Sequence, residues 1–185
     1  MADEDAFDLS KISIEPIRRK PGRLIQFCGH PEIDDWVERA AYDEHLDGRR
    51  RVYCAYMDEL EQPVAIYSLL MEVVTVRRPK PIAGVRLTEP FPALGIGYLA
   101  VGKQMQRRKL GSLMLADALQ RAVALADQVA FPAVKLRAAE PWLIDYYGQR
   151  SFLQFDQEDT HRMLVPTRTL IDEARKAADA ATHRL

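Results

Sequence analysis

The sequence predicts one α/β domain built on a mixed β-sheet, and three observations carry that reading. Stretches of β-branched and aromatic residues alternate with stretches whose apolar residues recur at helical spacing, in the order strand, helix, three strands, helix, strand, helix, strands. The chain has 185 residues, an ordinary single-domain size at which about 70% of the unfolded surface is buried. Its composition, 48% hydrophobic and 29% charged, is that of a folded protein. No run approaches the roughly 18 uninterrupted apolar residues of a membrane span.

The first ten residues are polar and acidic, which predicts a flexible N-terminus over 1–10, a main domain over 11–166 and a terminal helix over 167–185. Lys11 to Ile17 alternates apolar and polar residues and reads as a short strand, closed by the turn Pro21-Gly22. From Pro31, the residues Ile33, Trp36, Val37, Ala40 and Ala41 share one helical face, with Gly48 as the stop. Arg51 to Met57 is a β-branched and aromatic strand, and Asp58 to Gln62 a polar turn. Pro63 to Val76 is apolar almost throughout, which predicts a central strand covered on both faces.

Pro79, Pro81, Pro90 and Pro92 make Arg77 to Pro92 a loop, and Ala93 to Val101 is a second buried strand. Leu115, Ala118, Leu119, Ala122, Val123 and Ala126 give Gly111 to Asp127 the clearest helical stripe in the chain. A strand over Ala133 to Ala138, a short helix over Pro141 to Arg150, and strands over Phe152 to Phe155 and His161 to Val165 follow. After Pro166, the stripe Leu170, Ile171, Ala174, Ala177, Ala178 and Ala181 predicts an amphipathic helix. A free helix of that length is marginal in water, so the stripe is expected to pack on the body or on a second subunit, as in a homodimer.

Cys28 and Cys54 cannot form a disulfide framework, and no cysteine or histidine spacing suggests a metal site. The acidic start lacks the pattern of an export signal, and a reducing cytoplasm is the expected location. Net charge is −1, so bulk charge gives no nucleic-acid signal. Half of the 26 basic residues nevertheless fall in four runs: Arg18, Arg19, Lys20 and Arg23; Arg49 to Arg51; Arg77, Arg78 and Lys80; and Arg107 to Lys109. Such segregation either makes a positive face on a neutral molecule or marks solvated loops.

The segment Leu99 to Leu119 carries the first chemical signal. A strand there ends in a polar loop and enters a helix through small residues, which leaves free N–H groups and the helix dipole as an anion site. Arg107, Arg108 and Lys109 stand where a helix start disfavours cations by roughly 0.3–1 kcal/mol each, a cost that a bound polyphosphate reverses.

Leu99-Ala100-Val101 followed by Gln106-Arg107-Arg108-Lys109-Leu110-Gly111 resembles the GNAT superfamily of acetyl-CoA-dependent N-acetyltransferases, whose phosphate loop reads Q/R-x-x-G-x-G/A. Gln106 and Gly111 match the ends of the pattern, and Lys109 replaces its first glycine. A side chain there either obstructs the approach of a pyrophosphate or adds a charge contact to it. Tyr146-Tyr147 and Ser151-Phe152 are similar to the superfamily's A-x-x-F-Y-x-x-x-G-F signature, with Ser151 in place of another glycine. Phe27-Cys28-Gly29 and Trp36-Val37 resemble the entry to the first helix in toxin-type members, one residue short between Phe27 and Cys28.

The resemblance implies a mixed, splayed sheet flanked by helices, with acetyl-CoA as cosubstrate. The backbone at Leu99, Ala100 and Val101 takes the pantetheine arm in that scheme, and Gln106 to Ser112 hold the pyrophosphate. Tyr147 is the implied general acid, protonating the thiolate that leaves when an amine attacks the thioester. No general base stands out; Glu72, Glu140 and Asp145 are the nearest candidates. The toxin-type resemblance implies aminoacyl-tRNA as acceptor and a small DNA-binding antitoxin as partner. A protein or small-molecule amine is an alternative acceptor. The departures at Lys109 and Ser151 keep open a non-catalytic binding or regulatory protein with a degenerate loop.

Overall fold

The computed structural model describes residues 9–22, 27–57 and 60–182. Most of the expected acidic terminus, Arg23, Asp58, Glu59 and the last three residues therefore lie outside the described residues. Seven strands form one mixed sheet in the order β1-β2-β3-β4-β5-β7-β6. They are β1 (Ile12–Pro16), β2 (Arg51–Met57), β3 (Ala65–Val74), β4 (Phe91–Val101), β5 (Ala133–Arg137), β6 (Leu153–Gln154) and β7 (Arg162–Pro166). The helices are α1 (Pro31–Arg39), α2 (Ala41–Leu46), α3 (Leu110–Ala126), α4 (Trp142–Gly148) and α5 (Thr167–Thr182). β1, β2 and β3 pair antiparallel in turn, as do β5 with β7 and β7 with β6. β4 and β5 pair parallel at Leu94↔Val134 and Gly95↔Lys135.

The chain divides into two compact units: Met1–Leu69 with Tyr98–Ala118, and Leu70–Gly97 with Leu119–Leu185. In the first unit, the alternation of β2 points Val52, Cys54 and Tyr56 into a core with Ile17, Phe27, Trp36, Val37, Ala41, Ile66 and Ala100. On the other face Tyr53 stacks on Tyr67, ring centroids 5.2 Å apart, and the Tyr67 hydroxyl donates to Asp117 of α3. The predicted helix from Pro31 to Gly48 is two helices, broken at Ala40, whose φ of −120° leaves the helical region. A straight helix sets Trp36 and Glu44 about 12 Å apart along its axis. The break lets the Trp36 indole N–H reach Glu44 at 2.8 Å, and the same carboxylate takes Arg50 at 2.8 Å.

In the second unit, Val74, Phe91, Ala93, Ala133, Phe155 and Leu164 form a core with Ile82, Val85 and Leu87 from the proline-rich loop. That loop is therefore packed, although it has no regular strand. β3 is covered over Ala65–Leu69 but exposes Met71 and Val73, so it is not buried on both faces along its whole length. In α5 the expected stripe is only partly covered. Leu170 is buried, whereas Ala174, Ala177, Ala178 and Ala181 are exposed.

Candidate functional site

The first unit brings the predicted loop together as one continuous feature. β4 delivers Leu99, Ala100 and Val101; Gly102 and a 3-10 turn at Lys103–Met105 follow, then Gln106 to Lys109, then α3. Ala100 is buried in the core, while Leu99 and Val101 are half-buried at the end of the strand. The Val101 carbonyl is already used: it accepts the Gln106 side-chain amide at 3.1 Å.

Arg107 and Lys109 hold left-handed backbone, at φ 63° and 64°. Side chains favour this region by none of their own contacts, and glycine enters it freely. Thus Lys109, at a position where the resembled pattern has glycine, holds a backbone conformation that glycine adopts freely. Left-handed residues spaced in this way turn successive N–H groups to one side and make an anion-binding concavity. Lys109 then opens α3, its carbonyl accepting the Leu113 N–H at 3.1 Å, and the first-turn N–H groups of α3 point the same way as its dipole. A Cβ on Gly111 would meet only Val101, at an ordinary 3.6 Å, so packing within the chain does not demand glycine there.

The charge runs resolve unequally. Arg18 pairs with Glu15, Arg19 with Glu61, Lys20 with Asp43, Arg49 with Asp47, Arg50 with Glu44 and Arg78 with Glu158. Six of the nine described cations in the first three runs thus have an ion-pair partner, which favours none of these runs as a bare positive face. Arg107 and Lys109 are exposed and have no ion-pair partner among the described residues. No acidic residue enters the first turn of α3 to offset them.

Tyr147 belongs to the second unit, on α4. It is buried, edge-on to Tyr146 at 5.2 Å and to Phe152 at 5.8 Å. Burial, with Tyr146 adding and Arg150 opposing, pushes its phenol up to about 12, so it stays protonated through neutral pH. No hydrogen bond to its hydroxyl is found among the described residues, which leaves the proton available for donation. Ser151, at the other missing glycine, is also left-handed, at φ 66°.

The carboxylates considered as bases sit differently. Glu72 accepts two hydrogen bonds from Lys135, at 2.9 and 3.1 Å, across a gap that only glycine leaves open. A Cβ on Gly95 would lie 2.3 Å from that carboxylate. Glu72 is thus explained as an ion-pair partner. Glu140 and Asp145 are exposed.

Sequence reasoning missed a third set, around Cys28. Asp34, in the first turn of α1, accepts the Cys28 N–H at 2.8 Å, the Gly29 N–H at 3.1 Å and the Cys28 thiol at 3.0 Å. Burial pushes that thiol up to about 11, with Asp34 adding to the shift. Burial also works to raise the Asp34 carboxyl, but the hydrogen bonds from Cys28 and Gly29, with Lys103, outweigh it and hold the group below the usual carboxylate range. The signal in the sequence was an acid six residues after the cysteine, near a helix start.

The chain is 27% identical over 137 residues to a tRNA-acetylating toxin of Mycobacterium tuberculosis, covering 74% of this chain and 81% of that protein. No family model matches the chain. Among solved structures, the toxin AtaT complexed with acetyl-methionyl-tRNAfMet superposes with TM-score 0.72 at 16% identity, covering 86% of this chain and 96% of that one. A tyrosine-to-phenylalanine mutant of the toxin KacT gives TM-score 0.75 at 17% identity, over 86% of this chain and 97% of that one.

Proposed function

We infer that this chain, which has the fold of the GNAT acetyltransferase toxins, is an acetyl-CoA-dependent N-acetyltransferase acting on the amino group of aminoacyl-tRNA. The observation that carries the reading is the loop Gln106 to Ser112: cationic, left-handed at Arg107 and Lys109, and set at the start of a 17-residue helix. A polyphosphate turns each of those features from a cost into a gain. The acceptor follows from likeness to a tRNA-acetylating toxin.

In this reading the backbone of Leu99, Ala100 and Val101 lines the pantetheine arm, and the N–H groups of Arg107 to Ser112 face the pyrophosphate. The acceptor amine attacks the thioester carbonyl carbon, a C–N bond forms, the C–S bond breaks, and the sulfur leaves with the bonding pair. Tyr147 gives its proton to that sulfur, so free CoA departs as a thiol. The attacking nitrogen loses its proton to water. An aminoacyl ester amine is less basic than a lysine amine, so the neutral nucleophile is well populated near neutral pH without a dedicated base. A reaction between acetyl-CoA and aminoacyl-tRNA supports a cytoplasmic location. Its partners are a small DNA-binding antitoxin and a second copy of the chain, seated on the exposed alanines of α5.

The test is transfer of radiolabelled acetyl from acetyl-CoA to a panel of aminoacyl-tRNAs, with a lysine peptide and free amino acids alongside. The expected product is an N-acetyl-amino acid released by mild alkaline deacylation of the tRNA. Labelling of the peptide alone redirects the reading to a protein acceptor. Labelling of nothing, with no acetyl-CoA bound, favours the non-catalytic module.

A further inference from the structure

Gln106 opens the loop pattern, and by position it reads as one of the residues that hold the pyrophosphate. Its side chain is engaged elsewhere. The Nε2 amide donates to the Cys28 carbonyl at 3.0 Å and to the Val101 carbonyl at 3.1 Å. A glutamine amide has two donor hydrogens, and its oxygen only accepts. With both hydrogens committed to carbonyls, Gln106 has no donor left for a phosphate oxygen.

The same segment, Phe27 to Gly29, is gripped from its other side. Asp34 of α1 takes the N–H groups of Cys28 and Gly29 and the Cys28 thiol. The cofactor loop returns the contact, since the Lys103 N–H donates to the Phe27 carbonyl at 2.8 Å. The approach is close enough that a Cβ on Gly29, itself at φ 90°, would fall 2.4 Å from the Lys103 side chain. A Cβ on Gly102 would press on the Val64 carbonyl at 3.2 Å, beside the Phe27 ring at 3.5 Å.

We propose that Gln106 is a positioning residue for acetyl-CoA and not a phosphate ligand: with Asp34 it clamps Phe27 to Gly29 between α1 and the cofactor loop, and so fixes the backbone that receives the pyrophosphate. The proposal rests on the reading of that loop as the acetyl-CoA site. It also explains why either glutamine or arginine suits the first position of the pattern, since both are multiple donors able to reach two carbonyls.

The experiment is calorimetric titration of acetyl-CoA into the full-length protein at about 0.05 and 0.5 M salt, where screening differs strongly. Four proteins are compared with wild type: Gln106→Glu, Gln106→Arg, Asp34→Asn and the double variant Gln106→Glu/Asp34→Asn. Losing a clamp hydrogen bond should weaken binding roughly three- to tenfold. Gln106→Glu, which keeps the shape but lacks the donors, is expected to lose that much at both salt concentrations, and Gln106→Arg to recover it. Asp34→Asn should weaken binding although Asp34 belongs to α1, and the double variant should be no weaker than the poorer single one. Amide exchange of Gly29 and Lys103 in the cofactor-free protein should quicken in Gln106→Glu and in Asp34→Asn.

A Gln106→Glu deficit that vanishes at high salt would mean a carboxylate facing phosphates, and so a direct contact. That result overturns the proposal, as does wild-type affinity in Asp34→Asn, additive losses in the double variant, or unchanged amide exchange. Binding by wild type with indifferent variants overturns only the clamp. Failure of wild type to bind acetyl-CoA overturns the acetyltransferase reading and the clamp's role in it together.

Discussion

The backbone turns left-handed at Lys109, before α3, and again at Ser151, after α4, and the two corners are held in opposite ways. At Ser151 the surroundings account for the conformation. Its hydroxyl donates to Glu173 of α5 at 2.6 Å, its N–H reaches the Gly148 carbonyl at 3.2 Å, and the next residue, Phe152, is fully buried. At Lys109 the side chain is exposed and makes no ion pair among the described residues, and only its carbonyl is held, by the Leu113 N–H at 3.1 Å. A side chain in this region costs roughly 1–2 kcal/mol relative to glycine. Strain that the fold does not offset points to a ligand-binding role, whereas strain over-determined by packing is structural.

The comparison can be sharpened first at Tyr147, where the largest effect is expected. Tyr147→Phe removes one hydroxyl and keeps the edge-on packing against Tyr146 and Phe152. Turnover should fall at least about tenfold, within the roughly 10²–10⁴ range of general-acid catalysis, while acetyl-CoA affinity is unchanged. Because the phenol is pushed up to about 12, deprotonation of Tyr147 should cause no loss of rate near the ordinary phenol value of ~10. Undiminished turnover in the variant removes the tyrosine from its role.

Gly111 comes next. Alanine fits the space and favours the helix by up to about 1 kcal/mol, so Gly111→Ala should raise the melting temperature. If the loop holds a pyrophosphate as proposed, the same methyl would crowd it, and acetyl-CoA affinity should drop severalfold. A variant that is both more stable and equally tight shows that no ligand approaches there.

The two corners are compared directly by urea unfolding. Lys109→Gly should stabilise by about 1 kcal/mol, since it relieves φ 64° and deletes no contact. Ser151→Gly relieves a similar strain but loses the bond to Glu173, so its net change should lie within about 0.5 kcal/mol of zero. Equal gains would erase the contrast.

The smallest effect concerns the thiols. Burial holds Cys28 up to about 11 and Cys54 up to about 12, so both stay as unreactive thiols. Native protein at pH near 8 should alkylate far more slowly than unfolded protein, and rapid labelling of Cys28 would mean that its bond to Asp34 is not maintained.

Much of this molecule was legible in its sequence because hydrophobic period is a local property. The strands over Arg51–Met57 and Phe91–Val101 and the helix over Leu110–Ala126 lie within a few residues of where the β-branched and apolar runs and the 3.6-residue stripe put them. The break at Ala40 was not legible, because it serves a hydrogen bond between Trp36 and Glu44 that only tertiary structure creates. Nor were the charge runs, whose partners at Glu61, Asp43 and Glu158 are distant in sequence. At the candidate site, the loop was legible from Gln106 and Gly111. The left-handed turns were hidden by a lysine and a serine that rarely adopt them, and the engagement of Gln106 with Cys28 was hidden by their separation of 78 positions along the chain.

The central claim is that the cationic left-handed loop binds a polyphosphate, and Lys109→Gly tests it most directly. Glycine accepts φ 64° without strain, so the substitution deletes a charge and leaves the backbone as it is. Acetyl-CoA should bind wild type well below millimolar and the variant about two- to fivefold more weakly, the size of an exposed ion pair. That deficit should shrink as salt rises. Tighter binding by the variant would contradict the account, because it would show a lysine that obstructs the site it was taken to serve.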